Sequence, residues 1–418
     1  MRLGVIADDF TGATDIAGFL VANGLRTVQL NGRPPAGLEV DVEAVVISLK
    51  SRSCPAAEAV SQSLASLEWL RALGCAQFFF KYCSTFDSTA EGNIGPVTDA
   101  LLDALGEDFT VICPVLPVNG RTIYNGYLFV NGVPLAESGM RDHPVTPMRD
   151  SNLMRLMDAQ SRGRTGNVPS AVMDAGPEAV RAALARLREG GFRYAVLDAL
   201  NDAHLVVMGQ AVAGMRLVTG GSGLADGMAR AWGGGDAAAA AAQGHPGRGR
   251  AVVLSGSCSD MTNAQVVAYR AAAPAMAVAV AVERCVDDPG YAAELAEWVL
   301  AQPAGALAPL IYATTDVAGL RAAQARFGAS TASEAVERTF GALAQRLAAE
   351  GFGRFIVAGG ETSGVVTQSL GIGGFHIGPQ IAPGVPWVRA IDRPVSLALK
   401  SGNFGQERFF FEAQEIAG

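Results

Sequence analysis

At 418 residues, half of them apolar, 17% charged and 50 of them glycine, the chain is long enough for two or three domains and far from the composition of a disordered protein. Its 32 basic and 40 acidic residues leave a net charge of −8, a field that repels nucleic acid and anionic membranes, so no such partner is expected and any phosphate is held by local groups. No apolar run reaches the length of a membrane span, Asp8 and Asp9 interrupt the N-terminal one, and no signal peptide or anchor is visible, so the chain reads as cytoplasmic.

The predicted elements alternate along the first half. Leu3 to Ala7, Ala44 to Ser48, Gln77 to Phe80, Thr110 to Cys113, Ser170 to Met173 and Tyr194 to Leu197 read as buried strands. Amphipathic helices lie between several of them: Ile94, Val97, Leu101 and Leu105 step by three and four, as do Val180, Leu184 and Leu187 behind Pro177. After Trp232 the sequence changes to GGGDAAAAAAQGHPGRGR, read as a Gly/Ala-rich linker over 233–250 whose poly-Ala tract has no apolar face to dock. Ala251 to Leu254, Ala277 to Val282, Leu310 to Ala313 and Phe355 to Ala358 then read as strands, the last preceded by a helix with Val336, Phe340, Leu343 and Leu347 on one face. The expected fold class is α/β: two α/β domains, 1–232 and 251–418, with mostly parallel sheets and a cleft between them.

Open parallel sheets bind ligands beyond the carboxyl ends of their strands, so the residues that follow each strand matter most. After the first come Asp8 and Asp9, opening DDFTGATD. A helix cap needs only one such residue; two adjacent carboxylates can also hold hydroxyls, a hydrated magnesium ion or a proton. After later strands come Lys50, Ser51, Arg52 and Ser53, and then Lys81, Tyr82, Cys83, Ser84, Thr85, Phe86 and Asp87. Lys and Arg suit a carboxylate while Ser, Thr and Asp suit hydroxyls, the needs of a small polyhydroxylated acid; polar turns are the plainer reading. Only three of the 32 basic residues are Lys, at 50, 81 and 400, each after an apolar run where a compact ammonium fits better than Arg's planar fork. The long loop holding Asn119, Gly120 and Arg121 lacks periodicity of its own, a functional signal. ESGMRDHPVTPMRDSN adds Glu137, Arg141, Asp142 and His143, the histidine more in keeping with a structural role. The six cysteines form no CxxC pair and read as reduced thiols, with Cys83 a nucleophile only if a partner stood beside it.

In the second half the strands end in small residues: Ser255, Gly256 and Ser257; Gly359, Gly360, Glu361, Thr362 and Ser363; Lys400, Ser401, Gly402 and Asn403. Glycine lets backbone N–H groups close on phosphate oxygens, and a helix N-terminus adds its dipole. Three such loops, one carrying Lys, point to a nucleotide polyphosphate; Gly220, Gly221, Ser222 and Gly223 form a fourth or merely a tight turn. No loop matches GxxxxGK[ST], and none supplies GxGxxG with an acid about 20 residues on, which speaks against a P-loop NTPase and a dinucleotide oxidoreductase.

With these residues in view, the chain resembles the four-carbon acid sugar kinases and, within them, is similar to the 3-oxo-tetronate 4-kinases. The likeness runs through ADDFTGATD, SLKSRS, FKYCSTFDSTAEGNIGPV, ESGMRDHPVTPMRDSN, LSGSCS, GGETSG and LKSGNFG, nearly the whole chain. It implies an N-terminal domain for the acid sugar, a C-terminal domain for ATP, and phosphorylation of the C4 hydroxyl with Mg2+ as the usual companion of ATP. It further implies that Ser255, Ser257, Gly359, Gly360, Glu361, Thr362, Gly402 and Asn403 contact ATP, with Lys400 beside them, and that Asp8, Asp9, Arg52 and Lys81 line the acid site. Ser84, Thr85 and Arg121 join the substrate candidates, and Asp9 or Asp87 is expected to accept or orient the hydroxyl proton. Related threonate kinases carry a different version of KYCSTFDST, which favours the oxo acid. A threonate or erythronate kinase, a non-catalytic sugar-acid sensor, and a hydrolase or aldolase using Lys81 are the rival readings. Metal ligands stay unassigned, and a homo-oligomer is compatible with all of this.

Overall fold

The apolar runs of the first half become strands because helices cover both faces of a parallel sheet, leaving no polar face to alternate with. In chain order these strands are β1 (Leu3–Ala7), β2 (Thr27–Asn31), β3 (Ala44–Ser48), β4 (Gln77–Lys81), β5 (Thr110–Cys113), β6 (Arg121–Tyr124), β7 (Tyr127–Val130), β8 (Val133–Pro134), β9 (Thr165–Val168), β10 (Tyr194–Leu197) and β11 (Leu217–Gly220). The second half adds β12 (Arg250–Ser255), β13 (Ala277–Ala279), β14 (Leu310–Tyr312), β15 (Phe352–Ala358), β16 (Gly374–Ala382), β17 (Val385–Ala390) and β18 (Ser396–Lys400). The computed structural model describes residues 3–32, 38, 40–143, 146–303, 305 and 307–416, so Pro144 and Val145 of the ESGMRDHPVTPMRDSN segment lie outside it. Two units divide the chain, Met1–Ala240 and Ala241–Gly418.

In the first unit the strands run β2-β3-β1-β4-β11-β5-β10-β9, all parallel, with β6-β7-β8 forming a separate antiparallel ribbon. The chain lays β2 and β3 to one side of β1 and then crosses to β4 on the other, so the sheet has its switch point between β1 and β4. The second unit repeats this winding. Its order is β13-β14-β12-β15-β18-β17-β16, with β13 and β14 to one side of β12 and β15 to the other. Its switch point therefore falls between β12 and β15, and only β16 and β17 break the parallel run.

The helical stripes pack as their spacing requires. Ile94, Val97, Leu101 and Leu105 are buried on helix Ile94–Leu105, and Phe340, Leu343 and Leu347 on helix Ala329–Ala349. Pro177 opens helix Pro177–Glu189, where its missing N–H is no loss. Two expected strands are corrected. Ser170 to Met173 belongs to a helix, Ser170–Asp174, because the strand at that level is Thr165–Val168 and Pro169 ends its ladder. Ala277 to Val282 breaks after three strand residues, and Val282 opens a helix, Val282–Asp287. The poly-Ala tract is a short helix, Ala237–Ala241, and Ala240 and Ala241 are buried, a covering that its composition does not reveal.

Candidate active site

At the first switch point Ala7 stands level with Ser48 on β3 and Lys81 on β4, so three strands release their loops at one height. Asp8 continues the ladder by donating its N–H to Lys81 O at 3.0 Å, and its own carbonyl accepts from the N–H groups of Ser51 and Arg52. Backbone pairing thus brings Arg52 over Asp8. The guanidinium donates through Nε to Asp8 Oδ2 at 2.9 Å and through Nη2 to Asp8 Oδ1 at 2.8 Å and Asp9 Oδ1 at 2.6 Å. Asp9 Oδ1 also accepts from Gly12 N at 2.9 Å, so Asp9 caps helix Phe10–Ala22.

The two aspartates are unequal. The Asp8 side chain is only 5% exposed and both its oxygens face Arg52, whereas Asp9 and Arg52 are 27% and 26% exposed and reachable by a ligand. Burial pushes the Asp9 carboxyl up, Arg52 opposes that, and the neighbouring charge of Asp8 adds to it. Among the described residues Arg52 Nη1 has no partner. Lys81 is buried, and its ammonium donates to Tyr82 O at 2.9 Å, one bond for a group with three protons. Lys400 is likewise buried at a strand end, while Lys50 is exposed.

The loop after β4 is pinned from below. Buried Tyr82 shares a hydrogen bond with Thr219 at 2.9 Å, and Phe86 packs edge-on against its ring at 5.6 Å. Phe86 has φ of 53°, a left-handed conformation rare for a bulky residue and of the kind that clusters at working sites. Beyond it Asp87 Oδ1 accepts from Thr85 Oγ1 at 2.6 Å, and Cys83 Sγ lies 2.9 Å from that hydroxyl. Burial pushes the Cys83 thiol up to about 11, which leaves little thiolate for nucleophilic work. Ser84 sits in the turn of this loop, partly exposed.

Arg121 stands apart: it donates to Asn119 O at 2.5 Å, its Nε is buried without a partner, and it makes no bond to the Asp8, Asp9 and Arg52 cluster. His143 serves a turn, Nδ1 facing the Thr146 N–H at 3.2 Å. Sequence reading missed Asn93, whose Nδ2 donates to the carbonyls of Ser51, Arg52 and Cys54 and fixes the Arg52 loop. It also undervalued Ser222. The Gly220–Gly223 loop follows β11 in the first unit, so it is no fourth phosphate loop of the second, and the Ser222 hydroxyl donates to Asp15 Oδ2. The only sequence signal for this pairing was Asp15's place in ADDFTGATD.

At the second switch point Ser255 stands level with Ala358, whose carbonyl accepts from the N–H groups of Gly256 and Ser257. Gly359 follows with φ of 125°, a backbone that an L side chain rarely adopts, and turns the chain into helix Gly360–Ser369. A cavity of about 880 Å³ opens here. Ser257, Gly359, Gly360, Glu361 and Thr362 form its polar end, while Val280, Val282, Leu320 and Val336 line an apolar part. Ser255 is fully buried and its hydroxyl is shared with Thr314 at 2.6 Å. Gly402 adjoins this end, since a Cβ there would fall 2.4 Å from Ser257 Oγ. Lys400 holds the Gly402 loop from beneath, donating to Thr262 Oγ1 at 2.9 Å, Ser401 O at 3.1 Å and Gly402 O at 2.9 Å. With no acid partner among the described residues, burial pulls its ammonium down to about 7. Asn403 is exposed beyond it.

The volume and the two-sided lining suit a nucleotide, and the backbone N–H groups opening helix Gly360–Ser369 suit phosphate oxygens. Two family models match the chain: a sugar-binding N-terminal domain over residues 3–228 and a nucleotide-binding C-terminal domain over residues 252–410. A 3-oxo-tetronate kinase of Brucella melitensis is 69% identical over 100% of this chain and 96% of its own length. The chain belongs to the 3-oxo-tetronate kinase family. The relative of that name from Salmonella typhimurium is 62% identical over 99% of each chain. A crystal structure from the same species, described as a putative tRNA synthase, superposes with a TM-score of 0.95 at 61% identity over 100% of both chains. The protein is accordingly a kinase. Among the described residues no helix is long and apolar enough to cross a membrane.

Proposed function

We propose that the protein transfers the γ-phosphoryl group of ATP to the C4 hydroxyl of 3-oxo-tetronate, giving 3-oxo-tetronate 4-phosphate. The observation that carries this reading is the pair of cations at the first switch point. Arg52 keeps Nη1 unpartnered beside a reachable Asp9, and buried Lys81 keeps two protons beyond its bond to Tyr82 O. Together they suit the single carboxylate of a short acid. Asp8 holds Arg52 in place, and Ser84 offers its hydroxyl to the carbon chain, while Thr85, buried with its proton donated to Asp87, fixes that carboxylate rather than meeting the substrate.

Phosphoryl transfer asks for alignment and charge neutralisation more than covalent chemistry. In this reading Asp9 takes or orients the C4 hydroxyl proton through Oδ2, because its Oδ1 already serves Arg52 and Gly12. Asp87, fixed by Thr85, orients the far side of the substrate. In the second unit Gly359, Gly360 and Thr362 hold the phosphates with Ser257, and Lys400 stiffens the Gly402 loop. ATP supplies the group transferred. Among the described residues no cluster of three or more His, Cys, Asp or Glu is placed to hold a metal ion, and Mg2+ commonly travels on nucleotide phosphates with few protein ligands. We place the reaction in the cytoplasm, where six free cysteines stay reduced.

The test is ADP release from ATP with a panel of 3-oxo-tetronate, threonate and erythronate. The oxo acid should give the highest kcat/KM. No acid-dependent ADP would overturn the kinase reading of this site, and a preference for threonate would move the assignment to that acid.

A further inference from the structure

We propose that Asp15, held by Ser222, is a positioning residue that supplies the counter-charge for Lys81 and so governs affinity for the acid substrate. This rests on the reading of the first switch point as the acid site.

The geometry starts at Gly12. A Cβ there would lie 2.3 Å from Asp9 Oδ1 and 2.8 Å from Lys81 Nζ, so this face of helix Phe10–Ala22 looks directly at the ammonium. Asp15 is three residues further along the same helix and therefore on the same face. The Ser222 hydroxyl donates to Asp15 Oδ2 from the start of helix Ser222–Ala231. That helix follows β11, the strand hydrogen-bonded beside β4, whose last residue is Lys81. Asp15 Oδ1 is buried and has no hydrogen-bond partner among the described residues.

Asp15 as a whole is half-buried, but its Oδ1 is closed off from solvent, so that oxygen acts through another group, and the group its face looks toward is Lys81. A buried ammonium needs a counter-charge. The charged groups facing Asp15 are Lys81 from β4 and Asp9 from the start of its own helix, and Asp9 is itself bonded to Arg52, which also holds Asp8. Asp9 also feels Lys81, but its Oδ1 is occupied by Arg52 and Gly12, whereas Asp15 makes no ion pair among the described residues and shares the counter-charge role. Burial pushes the Asp15 carboxyl up, and Lys81 and the Ser222 hydroxyl draw it back. Asp15 therefore supports Lys81 while ionised and ceases to do so as pH falls through its raised value.

The test is steady-state kinetics of Asp15→Asn, Ser222→Ala and the double variant, with acid and ATP varied separately at several pH values. Asp15→Asn should raise KM for the acid by about tenfold, the size of one lost charge contact, and leave KM for ATP unchanged. Ser222→Ala should match the wild type at alkaline pH and lose acid affinity as pH falls, since Asp15 without its donor protonates at a higher pH. The double variant should behave as Asp15→Asn alone. An unchanged acid KM in Asp15→Asn, or a Ser222→Ala effect that persists without Asp15, overturns the proposal. If Asp15→Asn does not fold, the pH dependence of Ser222→Ala decides alone, and its absence is a refutation. Wild-type protein with no acid-dependent ADP release would instead overturn the parent reading, and this one with it.

Discussion

Arg52 grips Asp8 with two parallel hydrogen bonds, at 2.9 and 2.8 Å, and reaches Asp9 with a third at 2.6 Å. A planar fork can do this and a single ammonium cannot. Arg52→Lys should therefore raise KM for the acid by about tenfold or more while leaving KM for ATP unchanged, as one bidentate charged contact is lost. Initial rates with each substrate varied in turn check this.

Asp9 is both helix cap and proposed proton acceptor. Asparagine caps a helix about as well as aspartate, so Asp9→Asn should fold normally yet lose about 10²- to 10⁴-fold in kcat. Because burial raises the Asp9 carboxyl from its ordinary 3.8, the wild-type rate should climb with pH through a value above that and then level, as the ionised form is the acceptor. A pH profile of kcat for both proteins checks the assignment, with Asp87→Asn as the comparison expected to lose less.

Gly359 turns β15 into its helix at φ of 125°, and a Cβ there would also lie 3.0 Å from Thr362 Oγ1 and 3.2 Å from Ser257 N. Gly359→Ala should cost about 1–3 kcal/mol in backbone strain and displace the polar end of the cavity. Weaker nucleotide binding with an unchanged KM for the acid is the expected result, read by nucleotide titration and a thermal melt.

Lys400 is buried with neutral acceptors only, which holds its ammonium at about 7 against an ordinary 10.5. At about pH 8 it is therefore mostly neutral in the free protein, and a nearby triphosphate favours the charged form. ATP binding should then take up a proton at that pH, and nucleotide affinity should fall as pH rises above 7. Calorimetry in two buffers of different ionisation enthalpy measures the uptake, which should vanish in Lys400→Met.

Cys83 lies within the same loop as Asp87, but burial holds its thiol up to about 11. It should resist iodoacetamide near neutral pH, and Cys83→Ser should keep kcat within about twofold, as expected for a thiol outside the chemistry. Mass mapping of the alkylated cysteines and the variant's kinetics check both points.

Strand-forming runs, helical stripes and the loops that follow them were legible in the sequence because each is a local pattern: a buried run of apolar residues, a period of three and four, a cluster of small or charged residues after a strand. Thus DDFTGATD, the Lys81 loop and the Gly359 loop each fall at a strand end, as their sequence context suggested. Locality also explains the failures. Ser170 to Met173 has the composition of a strand, but Thr165–Val168 takes the place in the ladder and, past Pro169, the chain turns into helix Ser170–Asp174. What tertiary structure alone decided is which side chains share a field. Nothing near Asp8 in the chain announces Arg52, 44 residues away, and nothing near Asp15 announces Ser222, 207 residues away. The sheet order makes those meetings, because parallel strands distant in sequence end at one height, and burial then makes each charge depend on its neighbours rather than on water.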